Sequence, residues 1–485
     1  MKSIRVSQKY FLLLIILLGS CKKLVEVDGP STSVNSKSIY KNDATAVGSI
    51  TSLYANMSSG FLDYPKELTS LSCIAGLSSD ELTLFNGSNN DVLMAFFQNN
   101  LTRMNGGEYW TNTYQRLYVV NSAIEGLSDA VELTPAVKRQ LMGEAKFMRA
   151  FYYFYLVNLY GNVPLVLTTN YKVNALIAKT PKKLVYEQVI ADLKEAQSLL
   201  NDQYIKGDGL TPYTAGSEER VRPTKWAASA MLARTYMYLN DWANAEIQAG
   251  LVLGNSTLFN LESLDKVFLK NNKEAIWQLQ PVISGYNVND AFLFLLTPAG
   301  PSGSNPVYLR KSLVDSFEPD DQRRNQWINS VTVHDETYYY AYKYKIAPSN
   351  DYNVSISEYS TVIRLAELFL IRSEARAHLG NLEGAIADLD EIRKRAGLST
   401  IRKNNPTINQ ADLIGSVLKE RRLEFFTEWG HRWLDLKRTN MIDGIMSKIT
   451  PEKAQGAPWR SYQQLYSISN LDILRNPNLV QNQGY

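Results

Sequence analysis

Residues 233–245, ARTYMYLNDWANA, and residues 373–385, SEARAHLGNLEGA, follow one plan. Each reads as a helix, a tight polar turn and a second helix, with small residues where the two helices must approach closely. A hairpin of this kind buries its apolar face only by stacking on a neighbour. The first residues of the two copies, Ala233 and Ser373, are 140 positions apart. The array is therefore not a simple tandem one, and other helix pairs and loops must intervene.

The hairpins resemble the tetratricopeptide repeat, and helical patterns dominate the rest of the chain. Residues 43–57 form a short amphipathic segment with Asp43 as the expected N-cap. Residues 108–127 place Trp110, Tyr114, Leu117, Tyr118, Asn121 and Ile124 on one face. Pro135, at a first helical position, opens a long helix to about Tyr160, which Gly161 ends and Pro164 keeps from restarting. Thr180 and Pro181 open another, to about Leu200. Two stretches break the pattern. Residues 281–359 hold PAGPSGSNP at 298–306 and a strand-like alternation at 337–345, and residues 61–107 are rich in Asn and Gly. Long irregular segments in a compact protein usually carry function. The expected fold is mainly α: a tetratricopeptide-like scaffold with long irregular ligand-binding loops.

The N-terminus is equally informative. Residues 1–9 carry three basic side chains (Lys2, Arg5, Lys9) and no acid, and residues 11–18 are an unbroken apolar run before Gly19, Ser20 and Cys21. The order is that of an export signal, and the run is far below the roughly 20 residues that span a bilayer. Cysteine at the cut resembles a lipobox, in which the thiol is acylated, palmitate being one such acyl group, and becomes the first residue. An ordinary signal peptide with an incidental cysteine is the alternative. Residues 1–20 are thus expected to be a lipoprotein signal peptide and residues 21–42, polar with Gly29 and Pro30, a tether. Residues 43–280 and 281–485 are expected to be N- and C-terminal regions of one globular unit. Acyl chains contribute about 0.8 kcal/mol per buried methylene, so several together hold firmly.

The net charge of +3, with acids and bases interspersed, shows no basic footprint for nucleic acid. Cys73, the only other cysteine, is expected to be a small buried apolar residue. Tyrosines number 29 against 16 phenylalanines, which suits wet contact surfaces as well as helix packing.

Five further stretches resemble one family: GEAKFMRAFYYFYLVNLYGNVPLV at 143–166, RPTKWAA at 222–228, VIRLAELFLIRSEA at 362–375, ERRLEFFTEWGHRWLDLKR at 420–438 and NPNLVQNQGY at 476–485. With the lipobox, they are similar in content and order to the SusD/RagB lipoproteins over nearly the whole chain. The resemblance implies a surface-exposed outer-membrane lipoprotein of Gram-negative bacteria that binds a glycan, or in some members a peptide. Such a protein sits as a lid over a TonB-dependent transporter of the SusC type. The repeats form the scaffold and the loops carry the ligand site. One departure is that Lys22 and Lys23 follow Cys21, with the acids Glu26 and Asp28 only later.

Catalytic chemistry is poorly supplied. His334, His378 and His431 fall in no metal-binding or nucleophile motif, and no cofactor or metal is expected. His378 is expected to be packed or solvated, and His431 structural. Glu420, Glu424 and Glu428 recur at a spacing that shares one helix face. A surface glycoside hydrolase would pair two carboxylates across a glycosidic bond, whereas a scaffold would pair them with Arg421, Arg422 and Arg432. Their place inside a family scaffold motif favours the second reading. A sugar site needs exposed flat aromatics flanked by amides and charges. Loop position selects Phe85, Tyr286, Tyr308 and Trp327, with Asn89, Asn90, Asn287, Asn289, Asp290 and Arg310 as polar neighbours. The reading is a binding lipoprotein, not an enzyme, that delivers an oligosaccharide to a transporter, with a peptide ligand as the alternative.

Overall fold

The computed structural model describes residues 39–58, 71–283, 285, 287–347 and 354–485. Cys21, the tether up to residue 38 and Tyr286 lie outside the described residues. The helices that organise the fold are α1 (Asp43–Ser58), α2 (Leu71–Ser78), α3 (Asp91–Phe97), α4 (Glu108–Asp129), α5 (Pro135–Tyr160), α6 (Lys182–Leu199), α7 (Lys225–Tyr238), α8 (Trp242–Leu253), α9 (Leu365–His378), α10 (Leu382–Arg395), α11 (Gln410–Glu424), α12 (His431–Arg438) and α13 (Ile442–Lys453). They stack in series: α4 on α5, α5 on α6, α6 on α7, α7 on α8, α8 on α9, and α9 on α10 and α11. Strands are few: β1 (Leu82–Leu84), β2 (Ala275–Leu279), β3 (Val307–Leu309), β4 (Ile328–Val333), β5 (Glu336–Ala341) and β6 (Ser360–Arg364). They pair antiparallel as β1–β3, β2–β6 and β4–β5. Among the described residues no helix is long and apolar enough to cross a membrane.

The two hairpins of the sequence are α7–α8 and α9–α10, and they turn alike. Asn240 and Gly380 take left-handed φ of 57° and 83°. Asp241 and Asn381 then cap α8 and α10, accepting from the Asn244 and Gly384 N–H groups at 3.3 and 3.0 Å. Although 140 positions separate them, the copies are neighbours in space. Trp242 stacks on His378 with centroids 3.9 Å apart and planes 6° from parallel, and Arg376 bonds Glu246 at 2.8 Å. Inside the stack Arg234 of α7 makes a fully buried pair with Glu367 of α9 at 2.6 Å. His378 is thus a packing residue, as is His431, whose burial pushes its imidazole down to about 4.

Helix α5 is the axis of the molecule. From Phe147 to Tyr160 every residue is buried, so this helix has neighbours on all sides, and its polar members are paired, Arg149 with Asp192 at 2.7 Å and Asn158 with the Tyr186 hydroxyl at 2.9 Å. Phe147 and Phe151 meet Trp277 of β2 edge-on at 5.1 and 5.3 Å. Its ends follow the sequence closely, with Pro135 in the first turn and Gly161 at φ 76° after the last. A buried helix end must satisfy four carbonyls from outside. Here Val157 O accepts from Gly161 N, Asn158 O from Lys437 Nζ, Leu159 O from Tyr466 N and Tyr160 O from Asn482 Nδ2. Three of these donors come from the C-terminal fifty residues, roughly the last tenth of the chain.

Several expectations change in detail. Asn42, not Asp43, caps α1 by accepting from Ala44 N at 2.8 Å, while Asp43 accepts from Thr134 N at 3.0 Å. Tyr40, placed in the tether, is buried. The irregular stretch 61–107 contains α2, β1 and α3. Cys73 is fully buried, as expected.

Glu367 is the residue whose loss the stack should feel most. Glu367→Gln leaves the Arg234 guanidinium buried without its counter-charge, which costs about 3–5 kcal/mol. Chemical denaturation should show that loss. A loss below about 1 kcal/mol would mean that α7 and α9 do not depend on the pair.

A candidate ligand-binding cleft

The loops expected to carry a site converge at one place. β1 follows α2, and β3 pairs with it in the register Leu82–Leu309, Thr83–Tyr308, Leu84–Val307. The β4–β5 hairpin turns at His334 and Asp335, both with positive φ, and lays β5 beside β3. Between them opens a cleft of about 650 Å³ lined by Thr83, Tyr308, Arg310, Lys311, Glu336 and Tyr339, among others. The volume falls within the usual range for small-ligand sites. Its aromatic surfaces are held in place. Tyr308 meets Tyr338 edge-on at 5.1 Å, the Tyr338 hydroxyl donates to Glu336 at 2.7 Å, and the Arg324 guanidinium lies 5.0 Å from the Tyr339 ring centroid. Arg310 is anchored through its N–H to Glu81 O at 2.9 Å and through its guanidinium to Glu452. The cleft therefore presents half-buried tyrosine rings beside hydroxyl, ammonium, guanidinium and carboxylate groups.

Of the residues singled out from sequence, Tyr308 and Arg310 line this cleft. Phe85 lies two residues beyond Thr83, half-buried, with its N–H on Pro306 O at 2.7 Å. Asn89 is exposed, and Asn90 caps α3. Neither Phe85 nor Asn89 is on the cleft wall. Trp327 is corrected outright: it is wholly buried, and its Nε1 donates to Leu264 O at 2.8 Å. Asn287 is likewise buried, its Oδ1 accepting from the Ser357 and Glu358 N–H groups at 2.8 and 3.0 Å. Asn289 donates to Ser58 O at 3.1 Å. Asp290 is buried, and burial together with the Glu428 charge pushes its carboxyl up to about 8. These three sit on or beside a short helix, Asn289–Phe294, whose inward face claims them. Thr83, Lys311, Glu336 and Tyr339 were missed. The tyrosine run in β5 was the available signal.

The glutamate stripe is structural, with different partners from those expected. α11 ends at Glu424, so Glu428 lies beyond it in the turn before α12. Glu424 pairs with Arg323 at 2.9 Å, with Arg364 at 2.5 Å and with Arg395. Burial alone would raise its carboxyl, but Arg395, Arg364 and Arg323 outweigh that and hold it well below the usual range. Glu428 bonds Arg364 at 2.8 Å and Lys343 at 2.5 Å, and Glu420 pairs with Arg323 at 2.6 Å. Arg421 instead serves Asp435, and Arg422 and Arg432 serve Asp80. Among the described residues no group of three or more His, Cys, Asp or Glu is placed to hold a metal ion.

A model described as the SusD family matches residues 321–485, and one described as starch-binding associating with outer membrane matches residues 79–237. SusD-like protein P2 of Formosa agariphila is 25% identical over 98% of this chain and 99% of its own length. Starch-binding protein SusD of Bacteroides thetaiotaomicron is 32% identical over 26% of this chain and 21% of its own length. A solved laminarin-binding SusD-like protein superposes with a TM-score of 0.75 at 23% identity, covering 92% of this chain and all of that one. That likeness shows a shared fold.

Directly behind the cleft, Glu81 is almost wholly buried and its Oε1 accepts no hydrogen bond among the described residues. Burial, then the neighbouring Asp80 charge, pushes its carboxyl up to about 8 against the opposing pull of Arg432 and Arg422. The folded pKa is therefore above the unfolded value of 4.5. The fold favours the neutral form, and its contribution is full below about pH 4.5 and lost as pH rises towards 8. Glu81→Gln keeps the neutral shape, so its melting temperature relative to the parent should climb across that window and level off above it. A difference that stays constant with pH would mean Glu81 is ionised in the folded protein.

Proposed function

The chain belongs to the SusD/RagB family, and from that premise we propose that it is a lipid-anchored binder on the outer membrane that captures an oligosaccharide in the β1–β3–β5 cleft and hands it to a TonB-dependent transporter of the SusC type. The observation that carries the reading is the pairing of Tyr308 and Tyr339 with Thr83, Arg310, Lys311 and Glu336 in one cleft of about 650 Å³. Sugar rings offer apolar C–H faces, which stack on tyrosine, and hydroxyls, which take hydrogen bonds from the charged rim. Relatives described as starch-binding and laminarin-binding support a carbohydrate ligand.

The reading is of a binder rather than a hydrolase. A general acid needs a carboxyl that holds its proton near working pH and reaches the ligand; Glu424 is held ionised by three guanidiniums, and Glu81 and Asp290, though raised to about 8, are buried and do not line the cleft. The Cys21 junction supports the lipid anchor and the outer-membrane location. A chain that only binds needs a route for its cargo, which a barrel partner supplies. A specific contact with that partner requires more than about 1,000 Å² of buried surface.

Three measurements test the proposal. Tyr308→Ala should lower oligosaccharide affinity several-fold, since an aromatic stack contributes about 0.5–1.5 kcal/mol beyond its area, with little change in melting temperature. Unchanged affinity with lost stability would make Tyr308 a packing residue. Cys21→Ala should give a folded protein missing from the membrane fraction; normal retention would remove the lipid anchor. Affinity purification of tagged protein from solubilised outer membranes should bring down a large β-barrel protein. If none co-purifies and oligosaccharide uptake survives deletion, the delivery role fails.

A further inference from the structure

A second cleft stands apart from the first and shares no lining residue with it. It is about 530 Å³ and lies between α4, the segment after α5, and a short helix at Asn470–Arg475. Its floor comes from the aromatic stripe of α4, where Trp110, Tyr114 and Tyr118 fall four residues apart on one face. Trp110 is buried and packs on Tyr114 at 4.8 Å. The Tyr114 hydroxyl donates to Pro164 O at 2.7 Å. Tyr118 continues the stripe but has no such cover and is 55% exposed. Tyr171, across the cleft, is 73% exposed. Two large rings thus stand at the rim of an aromatic-floored groove, at positions the packing of the chain does not require.

The polar groups of the groove are set as firmly as its rings. Glu125 of α4 accepts from Thr168 Oγ1 at 2.9 Å and from Thr169 N at 2.9 Å, which fixes the segment carrying Tyr171. Asn170 caps the single turn Tyr171–Asn174 by accepting from Lys172 N at 3.1 Å. Asn174 donates its amide to Thr168 O at 2.7 Å. That bond fixes which way its amide points. The Asn174 Oδ1 is shielded from solvent, so this amide braces the turn through its donor and leaves ligand contact to the exposed groups of the groove. Opposite, Asp472 is held by Thr111 Oγ1 at 3.1 Å, and Arg475 is exposed, with no ion pair among the described residues.

We propose that this groove is a second oligosaccharide-binding site. Sugar rings would stack on Tyr118 and Tyr171, and their hydroxyls would bond Asp472 and Arg475. The ligand is a neutral glycan segment, since the groove faces it with one acid and one base beside apolar rings. The inference rests on the carbohydrate-binding reading. It adds that each chain holds a polysaccharide at two separate points, which strengthens retention without a new contact in the first cleft.

The test begins with native electrophoresis of the full-length protein through gels containing starch, laminarin, xylan or mannan. Calorimetry follows with the hexasaccharide of whichever polymer retards it. Two sites per chain are expected in the parent. Tyr118→Ala/Tyr171→Ala should leave one, with polymer retardation weakened about threefold or more; both side chains are exposed, and the melting temperature should hold. Tyr308→Ala/Tyr339→Ala should remove the other. If the parent binds and the Tyr118/Tyr171 variant keeps full stoichiometry and retardation, the second site is overturned while the first stands. If that variant keeps its stoichiometry but loses co-purification of a membrane protein, the groove is a protein-docking surface and the inference is again overturned. If no polymer retards the parent, the carbohydrate reading itself falls and takes this site with it.

Discussion

The carboxylate of Glu424 is the point on which the C-terminal half of the molecule closes. Three guanidiniums meet it: Arg323 from a short helix, Gln322–Gln326, before β4, Arg364 from the end of β6 and Arg395 from the end of α10. Arg364 and Arg395 also share Glu274, the residue just before β2, and Arg364 reaches on to Glu428, which holds Lys343. Nearly all these groups are buried. A buried pair recovers little net free energy after desolvation, but removing one partner leaves an unpaired charge and is severe. The network is therefore better understood as a specification of position than as a source of stability. The second repeat hairpin, the β2–β6 ladder and the root of the β4–β5 hairpin can each seat in only one way, because any shift strands a charge.

That rigidity bears on the cleft. Its walls are short strands and turns with few ladder bonds of their own, the kind of backbone that would otherwise drift. They are tied to the scaffold instead. Arg310 is held by Glu81 O and Glu452, the β4–β5 hairpin begins one residue past the buried Trp327, and β1 leads directly out of the fully buried α2. The tyrosines facing the cleft can thus be partly exposed and still hold fixed angles. Preformed geometry lowers the ordering cost of binding.

How far this was legible in the chain depends on the range of the forces involved. The limits of α5 are local matters of a proline, a glycine and sidedness, and the expected helix from Pro135 to about Tyr160 agrees with the structure. The turn chemistry of the two hairpins was local too. Trp327 and Asn287 show where the reading failed. Loop position was used as a proxy for exposure, yet both side chains turn inward to meet backbone groups contributed by residues 264 and 357–358. No local pattern encodes such partners. The glutamate stripe shows the same limit in another form: its scaffold role was readable, but its arginines come from up to a hundred residues upstream rather than from its own helix. The cleft was half legible for the same reason. Thr83 and Tyr339 lie in the marked stretches as Tyr308 and Arg310 do, but only the β1–β3 pairing and the approach of β5 bring the four together.

The C-terminal cap of α5 has a consequence for how such a chain matures. The helix is complete in sequence by Tyr160, yet the groups that satisfy its last carbonyls, Lys437, Tyr466 and Asn482, are made after nearly everything else. A chain emerging from its N-terminus therefore carries its central helix with an open, unsealed end for most of its synthesis. The stack can assemble around it, but only the arrival of the tail locks it, so the last stretch to appear acts as the latch of the whole body. Contacts of such long sequence separation are slow to form.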